Sequence, residues 1–165
     1  MPLKTLKTVI LLLAFVCVSG PTEAAVRLAE QPNLSPDGKT LLFVRGGDIW
    51  QVPTRGGQAT RLTSHTAKES QPIFSPSGKR IAFISNRTGS NQVYVMPAVG
   101  GEPEQLTFHS EGYSLQDWYP DGKSLLVLAS RDHHWKSSSR FFRINSGKRS
   151  PEELLFNGYG AEGKI

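Results

Sequence analysis

An all-β chain built from repeated four-stranded sheets is predicted by three observations. A phrase of about forty residues is written three times, apolar runs of four follow its turns, and no long helical periodicity appears after residue 25. The copies begin Pro32-Asn-Leu-SPDGK-TLLFV, Pro72-Ile-Phe-SPSGK-RIAFI and Gln116-Asp-Trp-YPDGK-SLLVL, with Pro36, Pro76 and Pro120 spaced by 40 and 44 residues. Later phrases recur in the same order: DIWQVPTRGG, QVYVMPAVGG and the degraded RFFRINSGK, each followed by RLT, QLT or ELL.

The chain opens on a stretch set apart from the fold. Lys4 and Lys7 precede an unbroken apolar run of 10 residues, Val9 to Val18, and then Gly20, Pro21 and Thr22-Glu23-Ala24. This reads as a secretory signal peptide over 1–24, cleaved near Ala24, with an apolar run too short to span roughly 30 Å of bilayer. Cys17 is disfavoured as a lipid-attachment site because Val16 stands where a small residue is wanted. Cleavage removes the only cysteine, and with it any disulfide, thiol nucleophile or thiolate metal site. It also removes two lysines and one glutamate, lowering the formal charge of +5 by one. The expected location is therefore exported, periplasmic or extracellular. A mildly basic exported domain needs no nucleic acid to explain its charge.

Each repeated phrase has a physical job. Proline at the second turn position fixes φ near −65°, aspartate bonds local backbone, and glycine takes the positive φ from which the next strand starts. Ser77 replaces the aspartate in the second copy. LLFV, IAFI and LLVL are apolar at every position, as in a strand that buries both faces. A loop of variable length follows (RGG, NRTGSN, then RDHHWKSSS), and a third strand carries Trp50, Tyr94 and Phe142. Gly-Gly turns at 56–57 and 100–101 lead to a short fourth strand ending in Leu-Thr. Four strands in about 40 residues make one blade of a β-propeller, with blades stacked face to face. The predicted blades are about 31–70, 71–114 and 115–157, within an incomplete propeller over 25–165. A fourth blade is expected to begin at about 158.

The tail FNGYGAEGKI spells G-x-G-x-x-G through Gly158, Gly160 and Gly163. A dinucleotide loop would need a helix opening within the motif and an acid about 20 residues on. Leu154-Leu155 instead aligns with Leu62-Thr63 and Leu106-Thr107, so the tail reads as an inter-blade linker and Ile165 falls on Ile73.

The pattern SPDGK…DIW.VP..GG…RLT resembles the repeat of TolB-type and tricorn-type propellers. LTSH, LTFHSEGY and WYPDGKSLLVLASRD, with a long third loop, resemble the N-terminal propeller of tricorn-like serine peptidases over roughly residues 30–165. The resemblance implies a non-catalytic propeller at the front of an exported peptidase, with PDZ and serine-peptidase domains downstream. There it would bind or gate peptide substrates. A TolB-like periplasmic interaction scaffold, or the propeller lid of a prolyl-oligopeptidase-type hydrolase or an amidohydrolase, remains open on the same residues. Implied partners are peptide or protein substrates, the downstream peptidase domains, and other blades or a second copy. Three blades leave an exposed edge at each end, so the isolated chain is expected to associate or to be marginally stable.

No catalytic set is expected on this chain: no G-x-S-x-G occurs, and its serines fall in turns and loops. No cofactor or metal is expected. His65 and His109 stand two residues beyond the blade-ending Leu-Thr, which places them at equivalent rim positions of adjacent blades. Their ordinary role is linker packing or hydrogen bonding; ligand contact is the sharper reading. His133, His134 and Trp135 lie in the longest loop, where adjacent histidines point to opposite sides and are poorly placed to chelate one ion. That loop is the other candidate contact for a partner. Six basic residues between Arg131 and Arg149 (Arg131, Lys136, Arg140, Arg143, Lys148, Arg149) interleave with Trp135, Phe141 and Phe142. The aromatics fall where the repeat needs core, so a nucleic-acid surface is not expected.

Overall fold

The computed structural model describes residues 29–130, 139–147 and 150–155. Twelve strands form three antiparallel four-stranded sheets. The first holds β1 (Glu30–Leu34), β2 (Thr40–Arg45), β3 (Asp48–Pro53) and β4 (Thr60–Arg61). The second holds β5 (Glu69–Phe74), β6 (Arg80–Ser85), β7 (Gln92–Pro97) and β8 (Glu104–Gln105). The third holds β9 (Ser114–Trp118), β10 (Ser124–Ala129), β11 (Arg140–Asn145) and β12 (Glu153–Leu154). No helix occurs among the described residues, and so none is long and apolar enough to cross a membrane.

The apolar runs behave as their composition dictates. Along β6, Ile81 and Phe83 pack toward the first sheet with Leu42, Ile49, Phe74, Tyr94 and Met96. Ala82 and Ile84 pack toward the third sheet, with Trp118, Leu125, Val127, Phe142 and Ile144. A strand whose two faces both meet a neighbouring sheet is apolar through its centre, with the polar Arg80 and Ser85 at its two ends. On β10, Leu126 and Leu128 form a further cluster with Phe141 on the opposite face from Leu125 and Val127. The described sheets are thus stacked face to face, as blades are.

The three proline-glycine turns (Ser35–Gly38, Ser75–Gly78 and Tyr119–Gly122) close as predicted. Gly38, Gly78 and Gly122 have φ of 69°, 68° and 64°. Asp37 Oδ1 accepts from Ser35 Oγ (2.6 Å) and the Lys39 amide (3.1 Å). The Ser35 hydroxyl holds the Asp37 carboxyl below its ordinary range. Ser77 makes only longer versions of these bonds, 3.2 Å to Ser75 Oγ and 3.4 Å from the Lys79 amide.

Two features were not legible in the repeat. Gln31 and Gln71 adopt φ of 53° and 50°, where non-glycine residues seldom sit, and each marks a register break in its first strand. The bulge aims each side chain at the next sheet. Gln31 Oε1 accepts the Gln71 amide at 2.6 Å, and Gln71 Oε1 accepts the Leu115 amide at 2.9 Å. The same register position thus clasps sheet to sheet, until Leu115 replaces glutamine and ends the series. The second feature is Arg80, which reaches the third sheet through Gly122 O (2.6 Å) and Ser146 O (2.8 Å) while its guanidinium lies 5.0 Å from the Trp118 ring centroid.

Candidate functional site

Consecutive antiparallel strands alternate in direction, so one end of the stack carries the Ser-Pro and Gly-Gly turns. The other end carries the loops between second and third strands and the linkers between sheets. His65 and His109 lie in those linkers, and each is built the same way. Leu62 and Leu106 donate their amides to Ile49 O (2.8 Å) and Val93 O (2.9 Å), continuing the short outer strand. The buried Thr63 and Thr107 hydroxyls accept the Ile49 and Val93 amides, both at 2.9 Å. Arg61 Nε and Gln105 Nε2 hold the two threonine carbonyls at 2.8 and 2.7 Å. The Leu-Thr signature is therefore a side-chain clasp on the third strand, and it delivers a histidine two residues later.

The imidazoles are locally engaged. His65 Nδ1 accepts the Ala67 amide at 3.0 Å, and His109 Nδ1 accepts the Glu111 amide at 3.3 Å. A neutral ring whose Nδ1 accepts carries its proton on Nε2. That tautomer opposes metal ligation through Nε2, which requires the proton on Nδ1. Among the described residues, no group of three or more His, Cys, Asp or Glu is placed to hold a metal ion.

Each histidine lines its own groove. His65, with Leu62, Thr63, Ser64, Arg87 and Glu102, lines one of about 220 Å³. His109 lines one of about 570 Å³ with Phe108, Pro151 and Glu152. The two histidines are equivalent by repeat and separate in space, one per blade junction. His133, His134 and Trp135 lie outside the described residues.

Beside the first groove lies a buried ion pair that the repeat gave no means of finding. Glu69 Oε1 accepts from Arg87 Nη2 (2.8 Å) and Ser85 Oγ (3.1 Å), and the Arg87 guanidinium lies 4.7 Å from the Tyr94 ring centroid. Glu69 Oε2 has no hydrogen-bond partner. Burial pushes the Glu69 carboxyl up, against the opposing pull of Arg87, Ser85 and the nearby His65. Ala29 and Tyr113 hold the equivalent positions of the other blades, so an acid here is particular to the second.

Stacked four-stranded blades, clasped from one first strand to the next, define an all-β propeller segment. The chain belongs to the family of tricorn protease N-terminal β-propeller domains, whose family model matches residues 26–164. Tricorn protease homolog 1 of Streptomyces coelicolor is 33% identical over 60 residues, covering 36% of this chain and 6% of that protein. The structure of TolB from Agrobacterium tumefaciens is similar at TM-score 0.68 and 28% identity, over 80% of this chain and 47% of that one. The crystal structure of the tricorn protease is similar at TM-score 0.60, over 71% of this chain and 12% of that one. At 20% identity the latter likeness shows the fold alone.

Proposed function

We propose that this chain is the non-catalytic propeller of an exported tricorn-like peptidase, where it binds or gates peptides for a downstream serine-peptidase domain. The observation that carries the reading is the family match across 26–164, joined to a sequence without a G-x-S-x-G motif. Export rests on residues 1–24 as a cleaved signal. On this reading the rim grooves, open to solvent at the linker end of each blade junction, are the peptide-facing surface. The second reading is a TolB-like interaction scaffold, favoured by the structural likeness to TolB at 28% identity over 80% of the chain.

The two readings separate on the nature of the ligand. Fluorescein-labelled tryptic peptides of casein, titrated with the full chain and followed by anisotropy and mass spectrometry, should bind saturably and remain uncut. Cleavage by the chain would overturn the non-catalytic assignment. Absence of any peptide binding would leave the scaffold as the better reading.

A further inference from the structure

At the turn end of the stack, the two blade junctions share a plan and are finished differently. Between the second and third blades, Arg80 opens β6 and its guanidinium crosses the junction. It donates to Gly122 O (2.6 Å), Ser146 O (2.8 Å) and Ser146 Oγ (3.0 Å), and lies 5.0 Å from the Trp118 ring centroid. Between the first and second blades the same register positions are Thr40, Gly78, Ala98 and Phe74. Pro36 sits over Gly78 there, as Pro76 sits over Gly122. Thr40 is too short to cross, and these four residues line a groove of about 340 Å³. The groove thus falls at the register position that the Arg80 guanidinium fills one junction on.

The carbonyls that Arg80 uses have counterparts held by the same backbone bonds. The Gly78 amide donates to Ser75 O at 2.8 Å, as the Gly122 amide does to Tyr119 O. The Ala98 amide donates to Lys79 O (2.9 Å), as the Ser146 amide does to Lys123 O (3.0 Å). What differs is how the glycine carbonyl is satisfied. In the first blade Thr54 donates its hydroxyl to Gly38 O at 2.9 Å, and in the third Ser146 donates to Gly122 O at 3.1 Å. Ala98 holds that position in the second blade and has no hydroxyl to give. Among the described residues, neither Gly78 O nor Ala98 O accepts a hydrogen bond. Asp37, which stands where the next turn has Ser77, adds a carboxyl that the Ser35 hydroxyl holds below its ordinary range. Lys39 lies 3.7 Å from that carboxyl but is largely in solvent. Two carbonyls, an aromatic ring and a negative field match a planar cation with forked N–H donors better than a compact ammonium.

We propose that the turn-end groove between the first and second blades is a binding site for an arginine side chain supplied from outside the chain. Its guanidinium donates to Gly78 O and Ala98 O beside the Phe74 ring, as Arg80 does from within the chain one junction on. A volume of about 340 Å³ accommodates such a side chain. This end of the stack is opposite the rim grooves, so binding here neither needs nor tests peptide handling at the rim.

The test uses the isotope-labelled full chain, N-acetylarginine methylamide and its citrulline counterpart, which keeps the shape but carries a neutral urea. The arginine compound should bind saturably, at least tenfold more tightly than the citrulline one. Amide resonances at 37–40, 78–79 and 98–100 should shift most. Thr40→Arg gives the first junction the residue of the second; its own guanidinium should fill the groove, abolish binding and raise the thermal midpoint. Arg80→Ala should open the same cradle between the second and third blades and add a second equivalent of bound arginine compound. A blocked glycine pentapeptide with a central arginine distinguishes the source: tighter binding than the single residue points to a polypeptide, equal binding to a small arginine ligand. Equal affinity for the arginine and citrulline compounds, binding unchanged by Thr40→Arg, or shifts confined to other segments would overturn the proposal. If either variant fails to fold, the citrulline comparison and the shifts of the wild-type chain still decide it.

Discussion

Arg87→Ala should cost about 3–5 kcal/mol of folding stability, because it leaves a buried carboxylate without its cation. The Glu69 side chain is 0% exposed and Arg87, 16% exposed at the edge of the His65 groove, reaches it at 2.8 Å, so the carboxylate depends on the guanidinium for its charge partner. The same substitution strips the cation from the faces of Tyr94 and Phe83. The pair also makes stability depend on pH. In the unfolded chain Glu69 loses its proton near the ordinary 4.5, whereas in the fold burial holds the proton to higher pH. Between those two values the native state binds more protons, so this group's contribution is most favourable below 4.5 and declines as pH rises through the native value. Arg87→Ala removes the strongest opposing pull and should steepen the decline, while Glu69→Gln should abolish it. Urea unfolding of the three proteins between about pH 4 and 8 reads both effects. An Arg87→Ala protein within about 0.5 kcal/mol of wild type, the scale of an ordinary surface substitution, would refute the buried-pair assignment.

Phe83→Ala should destabilise the chain by about 3–5 kcal/mol through lost burial and the cavity left behind. Phe83 is 0% exposed and stacks on Tyr94 with centroids 5.8 Å apart. It also joins the cluster between the first two sheets, with Leu42, Ile49 and Ile81. Loss of the ring therefore loosens one blade from the next as well as reducing burial, and the linker 62–68 should become the site of fastest proteolysis. Leu34→Ala is the matched control: Leu34 is 56% exposed, and its loss should change stability by less than about 0.5 kcal/mol. Urea unfolding with timed proteolysis checks both. Equal effects at Phe83 and Leu34 would mean that the sheets do not pack as described.

What the repeat wrote three times was legible, and what it wrote once was not. The proline-glycine turns and the doubly buried second strands follow from local rules of turn chemistry and burial that recur in register. Their recurrence separates pattern from noise. The Leu-Thr ending occurs twice, and in the third blade the expected alignment of Leu154 with Leu62 and Leu106 is off by one. Leu155 donates the equivalent amide to Phe141 O (3.1 Å), and Leu154 pairs with Phe142 as Arg61 and Gln105 pair with Trp50 and Tyr94. The positive φ at Gln31 and Gln71 obeys no local rule, since glutamine has no preference for that region and precedes proline in both blades. It occurs at the bulge from which each side chain bonds the next sheet. Glu69–Arg87 was hidden for the opposite reason, as neither residue repeats and an acid in a linker looks like a solvated one. At the rim, the repeat placed His65 and His109 correctly at matching positions. What the repeat did not show is how each histidine is held: Nδ1 accepts the amide two residues on, from Ala67 and from Glu111.

On the proposed function, these blades serve a peptidase whose nucleophile lies elsewhere. The most direct test of this claim is to isolate the native protein with an antibody against residues 29–130 and treat it with a tagged fluorophosphonate, which labels activated serines. The expected result is a labelled serine on the polypeptide carrying the blades, or on one tightly bound to it, at a position outside residues 1–165. A preparation that takes up no label, or one labelled on a serine within these blades, would contradict the claim.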